Sequence, residues 1–587
     1  MQSRKRATKH PNWLGMASFW VRSKGLQAQR MAENALRPLP SLTTGVVEDF
    51  PYVLAESVSQ LYTSTDSRER PLVLGKIQNL RLACSRIHHR VLGENEVFSL
   101  WRQIGPPWRV RGFVRGREVR EGCVIPTFGG GLCQLSGSML EVILAMDLQL
   151  LERHAHTALP ADVPSTARRD ATLFWNYVDL RFRSPFPLLF DCFLSTTSLV
   201  VRLRGKQPRQ NGGQPKPSLL PKTLSMPQKL EESCLTCAQD DCSRHVGGKI
   251  EAGKTAFLID EFQPEFAELV DDRLKDGDQV LTPSCSDSTR NKSFAPGNCD
   301  VHPFGAFRLY RSLALRWAVA RHITVAKVHF QLAGILAKLY ERHLDYQVEH
   351  LIVGQTLIPH LWRSGALGGR TFDVLMQRLP VESLEQQLNS AANLYPQSRT
   401  LVEFRAPHWF REAERQALNA ARTIFTPHPQ IATIHERSVC LPWKMPARQN
   451  AQPAERDLLV FLGPTLARKG AHAVREAMRR TGLVLTVLGH DLEERDFWRD
   501  LPVARSSARE LPWERVHTVV QPALFESWPR QLLKAHAAGA NLVISPGCGI
   551  EENHIDGIYH VPFGDADGLS ATLITLLKSQ GDLVCAE

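Results

Sequence analysis

DLLVFLGPTLARKGAHAVREAM, residues 457–478, reads as strand, loop and helix: a short apolar run, a Gly-Pro break, then apolar positions at helical spacing. The same alternation spreads outward in both directions. Upstream, the apolar runs TAFLID (255–260), VEHLIV (348–353) and TLVEF (400–404) are separated by helical patterns; downstream follow LVLTVLG (483–489), HTVVQP (517–522) and NLVISP (541–546). This spacing predicts an α/β chain with parallel sheets covered by helices, in two Rossmann-like halves at 251–450 and 451–587. In the second half Arg468 and Lys469 stand at a helix start, and 519–577 gives strand, acidic loop, helix, strand, Gly-rich turn and final helix. Basic residues and a helix N-terminus at a parallel-sheet edge suit a phosphate. An acidic side chain on a neighbouring loop suits sugar or ribose hydroxyls.

This pattern resembles the C-terminal domain of retaining GT-B glycosyltransferases, which use nucleotide-sugar donors. The resemblance covers about 455–580, and 255–450 fits the acceptor-side domain more loosely, through GALGGRTFDVLMQRLP (365–380) and RTIFTPHPQIA (422–432). It implies that Lys469, with Arg468 beside it, binds the donor diphosphate and that Glu526 is the first Glu of the family's E-x7-E motif. Gly547, Gly549 and Glu551 lie near the family's GG-x-x-E turn. Two residues depart from the pattern: Pro464 stands where the family usually has Arg, and Lys534 stands where the second Glu belongs. An ammonium donates hydrogen bonds and accepts none, so Lys534 is expected to add positive charge beside the diphosphate.

A second centre of chemistry lies earlier. Gly129-Gly130-Gly131 precedes Cys133, and Leu135, Met139, Val142, Ile143 and Met146 then follow at helical spacing. A thiol at a helix N-terminus has its thiolate favoured by the helix dipole and the free N–H groups. Such a cysteine is a candidate nucleophile if a base is near, and His154, His156 and Asp170 follow downstream. A tight turn around a buried, inert cysteine is the alternative. The blocks NLRLACSRIHHRVLGENEVFSLWRQIGP (79–106), GGGLCQLSGSMLEVIL, ERHAHT (152–157) and RDATLFWNYVDLRF (169–182), in that order, resemble the VanW domain over about 70–205. VanW is named for a glycopeptide-resistance gene cluster, and some members resemble cysteine L,D-transpeptidases of peptidoglycan. That resemblance implies Cys133 as nucleophile and His156 as base.

Between these regions Cys234, Cys237, Cys242 and His245 fall within 12 residues, in SCLTCAQDDCSRHVGG. Three thiolates and an imidazole match a closed tetrahedral zinc site, with an iron–sulfur cluster as the alternative. Cys285, Cys299 and His302 are further candidate ligands.

Composition bounds the rest. The chain has 587 residues, 43% hydrophobic and 22% charged, too long for one core and ordinary for globular domains. The net charge of +11 concentrates in residues 1–40 (eight Lys/Arg against Glu33) and 201–230 (seven against none). Nucleic-acid binding would need that charge on a folded face, so no nucleic-acid partner is expected. The expected plan is a basic tail at 1–40, a VanW-like domain at 41–204 that is mostly helical over 41–100, a linker at 205–230, a metal-type knot at 231–250 and the two Rossmann-like halves. The apolar run Trp13–Trp20 is too short and broken for a secretory signal, so the reading is cytoplasmic, with peripheral membrane contact through the basic tail. The expected function is transfer of a sugar from a nucleotide-sugar donor to a glycan or lipid-linked acceptor. The alternatives are acyl transfer at Cys133 on a cell-wall peptide and a non-catalytic binding protein with decayed enzyme folds.

Overall fold

The computed structural model describes residues 13–62, 69–120, 123–154, 171–208, 253–283, 300–321, 325–402, 405–447, 456–551 and 556–578. Two compact units result. The first, Met1–Thr255 with Leu344–His350 and Arg363–Thr371, is α+β. Its main sheet has the order Thr43–Thr44, Arg90–Leu92, Leu188–Leu194, Ser198–Gly205, Tyr52–Gln60, with every pairing antiparallel. The helices Arg70–Ile87 and Leu132–Ala145 pack against it, burying Ile77, Leu80, Leu135, Met139 and Ile143 with Phe190, Leu199 and Val201.

Two expectations for this unit are corrected. Residues 41–100 are not mostly helical. Tyr52–Gln60 is the edge strand of the main sheet, because its alternating face meets Ser198–Gly205, a partner more than a hundred residues away. The stretch read as a tail also folds: Trp13–Leu36 is a helix, uninterrupted between Pro11 and Pro38. Its Arg30 pairs with Glu152 at 2.8 Å and its Gln27 amide donates to the Trp175 carbonyl at 2.9 Å.

The second unit, Ala256–His343, Leu351–Trp362 and Phe372–Glu587, is α/β. Its sheets follow from the apolar runs, whose residues are buried on both faces as helix-covered parallel strands require. The C-terminal sheet has six strands, all parallel, in the order Val503–Ser506, Leu485–Leu488, Leu458–Phe461, Val516–Gln521, Asn541–Ile544, Ile558–His560. Numbered along the chain that order is 3-2-1-4-5-6, the doubly wound Rossmann arrangement. The preceding seven-stranded sheet runs Asp300–Pro303, Gln279–Thr282, Lys254–Leu258, Val348–Gly354, Thr371–Leu375, Thr423–Thr426, Ser438–Cys440. Two Rossmann-like sheets in tandem are the GT-B type of construction. One expected strand does not form over its described residues. In TLVEF, residues 400–402 form a turn, because Leu401 is spent in a core with Ala391 and Ala467, and the Thr400 hydroxyl bonds to Glu493.

Candidate functional site

In the first unit, Gly131 is the N-cap of helix Leu132–Ala145 and has φ +97°, open to glycine without strain. A Cβ there would come within 2.0 Å of the Lys76 stem, so the loop lies directly on helix Arg70–Ile87. Gly116 and Gly130 meet just as closely: a Cβ on either would lie 2.4 Å from the other's carbonyl oxygen. Asn79, fully buried, fastens the crossing by donating to the Val114 and Gly130 carbonyls at 3.0 Å and accepting from the Val114 amide. Cys133 is therefore delivered, half-buried, in the first turn of a helix, with Sγ 3.9 Å from the Thr172 hydroxyl.

The Thr172 amide donates to the His154 carbonyl at 2.8 Å, while the His154 ring stands 3.5 Å from Glu152. His156 and Asp170 lie outside the described residues, as do Cys234, Cys237, Cys242, His245, Cys285 and Cys299. Beneath the glycine loop, Lys76 was missed by sequence reasoning. Burial, with Arg117 nearby, pulls its ammonium down to about 7, and its Nζ donates to the Leu61 carbonyl. Nothing in its sequence position, one helical lysine among many, marks it.

In the second unit, Lys469 closes the loop that follows strand Leu458–Phe461, and Glu526 lies on the loop that follows strand Val516–Gln521. These adjacent strands are where the sheet order reverses, and the crevice beyond their C-terminal ends is where doubly wound folds bind ligands. Lys469 Nζ and Glu526 Oε2 are 3.1 Å apart, and Gln521 Nε2 donates to the same carboxylate oxygen at 2.9 Å. Gly470 makes the approach feasible. It has φ +85°, and a Cβ would lie 2.4 Å from the Pro522 oxygen, so the two loops touch backbone to backbone. The Leu524 amide donates to the Arg468 carbonyl at 2.8 Å, and helix Ala471–Thr481 starts immediately after.

The Gly-rich turn joins them. The Gly547 carbonyl accepts from the Glu526 amide at 2.8 Å and lies 3.3 Å from His428 Nε2. His428 comes from the seven-stranded half, is fully buried and stacks on Phe525 with centroids 4.5 Å apart. Burial pushes its imidazole down to about 4, so it is neutral at physiological pH. Trp443 Nε1 donates to the Gly549 carbonyl at 2.7 Å. Both residues were missed, because their partners are over a hundred positions away.

Glu493 was missed as well. It accepts from the Ala467 amide at 2.9 Å and from Thr400, and stands 3.6 Å from His472. Burial alone would raise its carboxyl, but these contacts win and hold it at about 2. It braces the short helix that carries Arg468 and Lys469. Beside the Leu524 loop a cavity of about 430 Å³ is lined by Ser383, Gln386, Gln387 and Ser390 together with Ala391, Leu394, Leu524 and Phe563. Arg468, Lys534 and Glu551 have exposed side chains, and Lys534 makes no ion pair with Glu526. The structure thus brings together Lys469, Glu526, Gly547 and Gly549, and Lys534 is exposed on helix Arg530–Ala537.

Part of the first unit is similar to known proteins. Residues 75–204 match the family model described as VanW like protein. The uncharacterized protein YoaR of Bacillus subtilis (strain 168) is 26% identical over 154 residues, 26% of this chain and 49% of that protein. The vancomycin B-type resistance protein VanW of Enterococcus faecalis (strain ATCC 700802 / V583) is 27% identical over 137 residues, 23% of this chain and 50% of that protein. The chain thus spans about half the length of the curated relatives it matches. Among solved structures, sucrose-phosphate synthase from Thermosynechococcus elongatus gives a TM-score of 0.35 at 12% identity, over 56% of this chain and 90% of that one. WaaG, a glycosyltransferase involved in lipopolysaccharide biosynthesis, gives 0.33 at 13% identity, over 55% and 90%. Anabaena HepE in complex with UDP and glucose gives 0.33 at 13% identity, over 56% and 91%.

Proposed function

We propose that the second unit binds a nucleotide-sugar donor and transfers its sugar to a glycan or lipid-linked acceptor, with the VanW-like unit as an accessory or acceptor-recognition module. The observation that carries this reading is the Lys469–Glu526 pair, 3.1 Å apart at the reversal point of a 3-2-1-4-5-6 sheet. Lys469 and the start of helix Ala471–Thr481 supply positive potential for the diphosphate. Glu526 accepts hydrogen bonds from sugar or ribose hydroxyls once the phosphate takes over Lys469. In the cavity, Ser383, Gln386, Gln387 and Ser390 supply donors and acceptors for an acceptor's hydroxyls, and Leu394 and Phe563 an apolar wall.

Calorimetric titration of nucleoside diphosphates and nucleotide sugars tests the reading. Wild type binds, and Lys469→Ala binds about 10- to 100-fold more weakly through loss of a charge-assisted contact. Absence of binding in wild type, with binding restored in Lys534→Glu, means a decayed donor site instead.

A second reading, acyl transfer at Cys133, is favoured by the helix-start position of a half-buried thiol above a glycine crossing. Iodoacetamide at pH 6 then labels Cys133 ahead of the other cysteines. Burial pushes Cys84 up to about 12 and Cys548 up to about 11, which keeps those two silent. Labelling of Cys133 no faster than the rest reduces the loop to a structural turn.

A further inference from the structure

The helix Gly305–Ala320 of the second unit carries apolar side chains on two sides. Phe307 and Ala318 face the interior, 6% and 0% exposed, whereas Leu309, Tyr310, Leu313 and Trp317 are 65%, 52%, 56% and 57% exposed. At about 100° per residue these four make one outward stripe about 100° wide. Arg316 and Arg321, both exposed, fall on its two opposite flanks, and the Arg321 guanidinium stands 6.0 Å from the Trp317 ring. The next helix, Val325–His343, adds exposed Lys327, Ile335 and Lys338. Residues 301–340 contain six Lys/Arg and no Asp or Glu. Arg311 pairs with Glu261, which leaves Arg316 and Arg321 as the exposed cations that flank the stripe.

A continuous Leu-Leu-Trp stripe in water calls for an occupant. A second copy fits poorly: a two-fold contact would set Arg316 and Arg321 against their own counterparts with no acid on the helix to pair them. An anionic bilayer suits both halves of the pattern. Leucine and tryptophan enter the boundary between headgroups and acyl chains, and the flanking arginines reach lipid phosphates. We propose that helix Gly305–Ala320 docks the second unit on an anionic membrane surface, lying in the plane of the headgroups. Spanning is not involved, since no helix among the described residues is long and apolar enough to cross a membrane.

Co-flotation of the full chain with vesicles of phosphatidylcholine, or of phosphatidylcholine with about 30 mol % phosphatidylglycerol, tests it. Flotation is expected on the anionic vesicles only, and weaker as salt is raised. Leu313→Ser with Trp317→Ser, and separately Arg316→Gln with Arg321→Gln, each reduce partition about tenfold or more. The substituted side chains are exposed, so an unchanged thermal unfolding midpoint accompanies the loss. Absence of flotation, or flotation undiminished in the Leu313/Trp317 variant, overturns the proposal. So does concentration-dependent dimerisation that the same variant abolishes, which would make a second copy the occupant.

Discussion

His428 is a histidine that the fold keeps uncharged. Its ring lies between the Phe525 ring and the Gly547–Gly549 turn, with no room for the hydration an imidazolium needs. The folded state holds it at about 4, whereas an unfolded chain protonates near 6.5. Between those values the unfolded state binds the extra proton, so stability is fully present above about pH 6.5 and is lost as pH falls toward 4. His88 in the first unit behaves alike, also lowered to about 4 by burial and by His89 beside it. Chemical denaturation of wild type and His428→Gln at pH 7 and pH 5 checks this. The wild type loses more stability over that interval than the variant, which lacks the titrating ring. An equal loss in both would mean that the ring is hydrated in the folded state.

Between elements, the second unit is fastened by a carboxylate. Glu265, 3% exposed in the first turn of helix Pro264–Arg273, pairs with Arg530 at the start of helix Arg530–Ala537 and accepts from the Lys444 amide at 2.8 Å. Arg530 also donates to the Lys444 carbonyl at 2.8 Å. One carboxylate thus ties both Rossmann-like halves to the segment between them. Glu265→Ala leaves a half-buried guanidinium without its counter-ion and costs about 3 kcal/mol or more of unfolding free energy. Glu265→Met with Arg530→Met recovers much of that loss, as replacing both members of a buried pair usually does. Urea unfolding of the three variants distinguishes a buried pair from a surface one, which would cost under about 1 kcal/mol.

Across the whole molecule, what was legible in the sequence follows the range of the interactions that decide it. Buried parallel strands announce themselves as apolar runs, so the runs around 458, 485, 516 and 541 sit where the strands are. Lys469 and Glu526 were singled out by the resemblance to the GT-B C-terminal domain, and the glycine loop because three consecutive glycines have few other uses. Tyr52–Gln60 was not readable. Its Leu, Ala and Glu suit a helix as well as a strand, and only its pairing with Ser198–Gly205 decides between them. His428, Trp443 and Glu493 were hidden for the same reason, since each acts on a loop supplied by a distant stretch of chain.

That hidden edge strand bears on how the first unit can be cut. The family match begins at residue 75, yet the sheet it covers ends on Tyr52–Gln60, and Leu54 and Leu61 from that strand and its end are buried in the same core as Leu199 and Val201. A fragment begun at 75 would expose the whole hydrogen-bonding rim of Ser198–Gly205, eight residues of mostly buried strand, as a template for other chains. Expressed side by side, a fragment starting at 75 is expected to be recovered as aggregate, and one starting at 41 to yield more monomer on size exclusion. Where a sequence family starts and where a piece of protein can stand alone are different boundaries, and here a single unpaired row of amides and carbonyls separates them.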